Sequence, residues 1–131
     1  VHGQMPMTRR NRRPRPDLEL RIMVDGQMVI GPVQAMLLEA IRSTGSIAAA
    51  QRQMGASYAH VWKLVAAMNE VFSPPLVDPI RGGARGGGAI LTEQGHKVLD
   101  SFRRLEGLTK AKGHAELLVI SRAAGHAAAG Q

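Results

Sequence analysis

"SIAAAQRQMGASYAHVWKLVAAMNEVF" (residues 46–72) contains two helix starts in quick succession. Ser46 and Ser57 are both residue types that cap helices, because a short side-chain oxygen accepts a hydrogen bond from a free amide of the first turn. After Ser46, the residues Ile47, Ala50 and Met54 share one face of a short helix, and Gly55 suits a left-handed stop. After Ser57, a longer helix runs to about Phe72, with Val61, Val65, Met68 and Phe72 as its inward stripe. The first helix is rich in small residues (Ala48, Ala49, Ala50) and can lie close against its successor. The joint is "MGAS", and the second helix opens on exposed polar and aromatic residues. This is the pattern of a helix-turn-helix.

Upstream, "GPVQAMLLEAIRSTG" (31–45) reads as a helix, with Pro32 in its first turn and Gly45 as its cap. Val33, Met36, Leu37, Ala40 and Ile41 form its apolar stripe. Before it, "LELRIMVDGQMVI" (18–30) predicts a short β-hairpin. Leu18, Leu20, Ile22 and Val24 alternate with Glu19, Arg21 and Met23, and Asp25-Gly26 is a two-residue turn that tolerates positive φ. Downstream, Pro74-Pro75 stops the helix. "LVDPI", a loop at 81–88 and "AILT" then read as strand, loop and strand. Thr92 caps a last long helix with Val98, Leu99, Phe102, Leu105 and Leu108 along one side. Gly107 and Gly113 are candidate interruptions. From Arg122 the chain turns to Ala, Gly and His, a composition expected to fray.

The loop places five glycines and two arginines in eight positions, Arg81 to Gly88. A P-loop would require a Lys followed by Ser or Thr after its glycines, and here Ala89-Ile90-Leu91 follow. No glycine triplet fits the dinucleotide spacing, and a strand follows the loop, so no helix N-terminus is aimed at an anion. Two apolar strands flanking glycines instead describe a hairpin with Arg81 and Arg85 at its tip. That is a device suited to a duplex backbone or minor groove. The expected fold is therefore mainly α with small β-hairpins, a winged helix-turn-helix.

Composition agrees. The 131 residues fit about one domain. A net charge of +7 rests on 17 basic against 10 acidic residues, and Arg outnumbers Lys by 13 to 4. Arginine presents a planar fork that matches phosphate, which favours a nucleic-acid partner. Residues 1–16 carry five arginines and no acid and read as a disordered basic arm. With no cysteine, disulfides, thiolate nucleophiles and Cys-based zinc sites are excluded. His2, His60, His96, His114 and His126 form no ligand pair at helical spacing, so no metal or other cofactor is expected. There is no nucleophile–base triad, and Glu39, Glu70 and Glu106 read as exposed helix residues, so no enzyme is expected. No run of 18 apolar residues spans a membrane. The basic N-terminus lacks a signal-peptide core, and a cytoplasmic location is expected.

At the residues, Ala59, Trp62, Lys63 and Ala66 point away from the inward stripe of the second helix. Lys63 suits guanine or phosphate, and Tyr58 and His60 suit bases or backbone. Trp62 has two readings, an outward contact or a ring packed beside the core.

The pair of segments "GSIAAAQRQMGASYAHVWKLVAAMNEVF" and "LVDPIRGGARGGGAILTEQGHKVL" resembles the N-terminal DNA-binding domain of ModE-type molybdate-responsive transcriptional regulators, over about residues 18–108. The helix-turn-helix is also similar to that of LysR-type regulators. Ser57, Tyr58 and Trp62, the pair Met68-Asn69, and the run from Gly82 through Gly83, Gly86, Gly87, Gly88, Ala89, Leu91 and Thr92 to Gly95 carry the resemblance. It implies a sequence-specific, double-stranded DNA-binding homodimer. The recognition helix, about 57–72, would enter the major groove. The wing 81–88 would lie on the backbone or minor groove. The N-terminal hairpin and the helix starting at Thr92 would join the protomers. The implied DNA-binding residues are Ser46, Ser57, Tyr58, Ala59, His60, Trp62, Lys63, Arg81, Arg85, Gly86, Gly87 and Gly88. Residues 111–131 show no strand alternation, so the likeness is to short members without molybdate-binding domains. A link to molybdenum metabolism, without molybdate sensing by this chain, is implied. The expected organisation is an arm (1–16), a DNA-binding domain with a dimerisation helix (17–120) and a flexible tail (121–131). The competing reading is a nonspecific DNA- or RNA-binding architectural protein led by its arginine arm.

Overall fold

A computed structural model describes residues 15–80 and 88–129. The elements run β1 (Ile22–Val24), β2 (Gln27–Ile30), α1 (Pro32–Thr44), α2 (Ile47–Met54), α3 (Tyr58–Val71), β3 (Val77–Ile80), β4 (Gly88–Leu91), α4 (Glu93–Lys112) and α5 (His114–Ala129). The protein is thus mainly helical with two small antiparallel hairpins.

The chain forms two compact units. One is Glu19–Arg104; the other brings residues 15–18 together with residues 105–129. In the first unit the core is one apolar cluster. Leu37, Leu38 and Ile41 of α1, Ile47 and Ala50 of α2, and Val61, Val65 and Met68 of α3 are buried in it. They are joined by Leu76, Val77, Ala89, Leu91, Leu99 and Phe102. The helical members recur at helical spacing, and the removal of the cluster from water is the main drive for packing the elements together. Among the described residues no polar or charged side chain is buried.

The local stops are those the residue types favour. Asp25 (φ 50°) and Gly26 (φ 79°) make the tight turn between β1 and β2, as a primed two-residue turn requires. Gly45 and Gly55 both end their helices at φ 67°. Gly31 N–H donates to the Gln34 Oε1 at 3.0 Å, holding the start of α1.

Three details depart from the sequence expectation. Val33 and Met36, expected on the inward stripe of α1, are 45% and 51% exposed, and Ala35 and Leu38 are buried instead. The buried face is centred on Leu37, Leu38 and Ile41, which turns Met36 to the opposite side of the helix. Val24 was expected to face inward with Leu20 and Ile22, but it is 53% exposed. The β1–β2 register slips between Ile22 and Met23, and a slip of one residue reverses which side chains face the core. The chain also stays helical past Arg122, to Ala129. Helical bonding continues across Gly113, whose N–H donates to the Thr109 carbonyl and whose carbonyl accepts from Leu117 N–H.

A small ion-pair group ties α1 to α4. Arg42 bonds Asp100 at 2.7 Å and Glu39 at 3.0 Å, and Arg103 approaches Glu39 at 3.5 Å. The hydrogen bond from Arg42 holds the Asp100 carboxyl below the usual carboxylate range. In the second unit Lys110 pairs with Asp17 at 3.0 Å.

Candidate nucleic-acid interface

The two serines do what their positions predict. Ser46 Oγ accepts from Ala49 N–H at 3.1 Å and starts α2; Ser57 Oγ accepts from His60 N–H at 3.1 Å and starts α3. Between them the chain turns on Gly55, whose N–H donates to the Gln51 and Arg52 carbonyls. Val61, Val65 and Met68 bury one face of α3, which leaves Ser57, Tyr58, Ala59, His60 and Lys63 exposed at its beginning. Among the described residues Lys63 carries no ion pair, so its charge is available to a partner. Residues 46–69 contain no carboxylate and hold Arg52 and Lys63. Arg52 and Lys63 therefore give this surface a positive bias.

Trp62 takes the core-packed reading. It is half-buried and packs against the core, and its ring meets Tyr58 edge to face at a centroid distance of 6.2 Å. That geometry is a favourable one for aromatic pairs. The core contact fixes Trp62, and Trp62 in turn limits where the exposed Tyr58 ring can go.

The hairpin β3–β4 pairs in the register Val77↔Leu91, Asp78↔Ile90, Pro79↔Ala89 and Ile80↔Gly88. Arg81, Arg85, Gly86 and Gly87 lie in the connection between these strands, outside the described residues. Gly88 is the first residue of β4. It forms an isolated antiparallel bridge with Ser46, and the neighbouring Ala89 N–H donates to the Gly45 carbonyl at 3.2 Å. The link between α1 and α2 thus acts as a minimal third strand on the hairpin. Two predicted site residues, Ser46 and Gly88, meet here, and both are tied into the scaffold.

Two residues shape this region without having been singled out for it. Arg52 is exposed near the end of α2, and its signal in the sequence is the acid-free run around it. Asn69 was noted only as part of a motif, and its side chain bonds the backbone of Leu76 and Val77. Among the described residues no three His, Asp or Glu side chains gather as a metal site, and no helix is long and apolar enough to cross a membrane.

No protein-family model matches the chain. Individual relatives do. The chain is similar to the molybdenum-pterin-binding protein MopA of Rhodobacter capsulatus, with 45% identity over 85 residues, 64% of this chain and 32% of that protein. It is 40% identical to the molybdenum transport protein ModE of Azotobacter vinelandii over 70 residues, 53% of this chain and 26% of that protein. The DNA-binding transcriptional dual regulator ModE of Escherichia coli strain K12 is 29% identical over 86 residues, 66% of this chain and 33% of its own length. The chain spans about a quarter to a third of the length of these curated relatives. Over the greater part of its own length, it carries a ModE-related domain.

Proposed function

We propose that the protein is a sequence-specific, double-stranded DNA-binding transcriptional regulator of winged helix-turn-helix form. In this reading α2 and α3 are the helix-turn-helix, β3–β4 is the root of the wing, and the protein acts as a homodimer. The observation that carries the proposal is the start of α3. It is capped and biased positive in charge, and it exposes Ser57, Tyr58, Ala59, His60 and Lys63 while its other face is locked into the core. A helix held this way can enter a major groove with its first turns. Arg81 and Arg85 would add backbone or minor-groove contacts from the wing. A place in molybdenum metabolism fits the names of the relatives, and no molybdate site on this chain is part of the proposal.

The test begins with selection from random duplexes, which should return one motif with two half-sites. Fluorescence anisotropy on that duplex, across several salt concentrations, then compares Lys63→Ala with Arg85→Ala. Both weaken binding. Lys63→Ala also erodes sequence preference by about 1–3 kcal/mol at the contacted position, while Arg85→Ala weakens all duplexes alike and lowers the salt slope by about one. Unchanged affinity in both variants overturns the assigned surface. Binding that vanishes on deleting residues 1–16, with no preferred motif, would instead favour the architectural reading.

A further inference from the structure

Asn69 lies near the end of α3 and is half-buried. Its Oδ1 accepts from Leu76 N–H at 3.0 Å and from Val77 N–H at 3.2 Å, and its Nδ2 donates to the Val77 carbonyl at 2.9 Å. One amide thereby grips both the donor and the acceptor of the first residue of β3. Among the described residues, every hydrogen bond that joins α3 to the β3–β4 hairpin comes from Asn69. The hairpin's other polar ties lead to the α1–α2 link through Gly45 and Ser46, and to the start of α4. There Thr92 Oγ1 donates to the Pro75 carbonyl at 2.6 Å, and Thr92 N–H donates to the Leu76 carbonyl at 3.0 Å. The apolar contacts of Met68, Leu76 and Val77 draw the two elements together without fixing an angle, because burial is non-directional. Three hydrogen bonds from one planar group do fix an angle.

We propose that Asn69 is a positioning residue that sets the bearing of the β3–β4 hairpin relative to α3, so that helix and wing engage one duplex together. This rests on the winged reading above. Only an amide suits the position: Asp cannot donate to the Val77 carbonyl, and Leu can neither donate nor accept.

A double-mutant cycle tests it on the duplex recovered by selection. Arg85→Ala reports the wing and Lys63→Ala reports α3, each measured in the wild-type and Asn69→Leu backgrounds, below the melting temperature of every variant. The affinity loss from Arg85→Ala should shrink about fivefold in the Asn69→Leu background, within the range for residues coupled through shared structure. The loss from Lys63→Ala should stay as it was. Asn69→Asp, which keeps the two accepted bonds, should give an intermediate coupling and carries the test if Asn69→Leu does not fold. Additive losses for Arg85 overturn the proposal, as does a parallel shrinkage for Lys63, which would mean general loosening. An Arg85→Ala variant that is silent already in the wild-type background removes the wing reading itself, an outcome distinct from additivity.

Discussion

A single glycine, Gly95, shows how closely the base of the β3–β4 hairpin is packed. It sits in the first turn of α4, where its N–H donates to Thr92 Oγ1 at 3.0 Å. A Cβ at this position would collide with the carbonyl oxygen of Leu76, lie 3.2 Å from the carbonyl carbon and touch Leu91. The obstruction is backbone, and that same carbonyl accepts the Thr92 N–H, so it cannot retreat without breaking the joint between β3 and α4. Ala is the better helix former by about 1 kcal/mol, and a free helix would be stabilised by the exchange. Here overpacking, about 1–3 kcal/mol, is expected to outweigh that gain. Gly95→Ala should therefore lose stability in urea unfolding, while Gly107→Ala, which meets nothing within 4 Å, should gain or hold. Equal stabilities for wild type and Gly95→Ala would show that the joint is looser than its geometry.

Among the elements, α3 has a structural and a proposed functional role at the same residue, and the two can be separated. Ser57→Ala removes the cap bond to His60 N–H and should cost about 1 kcal/mol of stability. Ser57→Asp keeps a good cap and even favours the positive helix end, yet it sets a carboxylate against the proposed DNA surface. The expected outcome is wild-type melting with weakened duplex binding. Loss of stability with binding intact would place Ser57 away from the DNA. The caps, the Asp25-Gly26 turn, the inward stripe of α3 and the two strands β3 and β4 were legible in the sequence, because each depends on residues within one or two turns of each other, whereas the stripe read for α1 wrongly took in Val33 and Met36. Three features were not legible. The bridge from Ser46 to Gly88 joins residues far apart in the chain, the grip of Asn69 on Leu76 and Val77 depends on how the α3–β3 loop folds back, and the register slip at Ile22 leaves no local mark. At the candidate interface, the exposed residues of α3 followed from its inward stripe. Trp62 did not, since a large ring can cover the core and border the surface at once.

For the molecule as a whole, the open question is what covers its exposed apolar side chains. In the second unit Leu105 and Leu108 of α4, and Val119 and Ile120 of α5, are 42%, 61%, 68% and 65% exposed. In the first unit the hairpin exposes Met23 and Val24. The stripe of α4 buries Leu99 and Phe102 and then continues, at the same spacing, into residues that this chain leaves in water. Each such side chain gains about 1.5–3 kcal/mol when fully buried, so in the proposed homodimer a second copy offering the same stripe would be a self-complementary partner of twofold symmetry. This is the dimer that the proposed function uses. Joining two recognition helices lets the second half-site bind at high effective concentration, an avidity of about 10²–10⁴-fold with no new DNA contact. The double variant Leu105→Glu/Leu108→Glu leaves the core of the first unit untouched. It should sediment as a monomer at micromolar concentration, melt with that core intact, and lose that avidity on the two-half-site duplex while binding a single half-site as the wild type does. A variant that remains dimeric would move the interface to the hairpin, where Met23→Glu/Val24→Glu should then dissociate the protomers. A wild-type chain that is itself monomeric under these conditions, on and off DNA, would remove the dimer from the proposal.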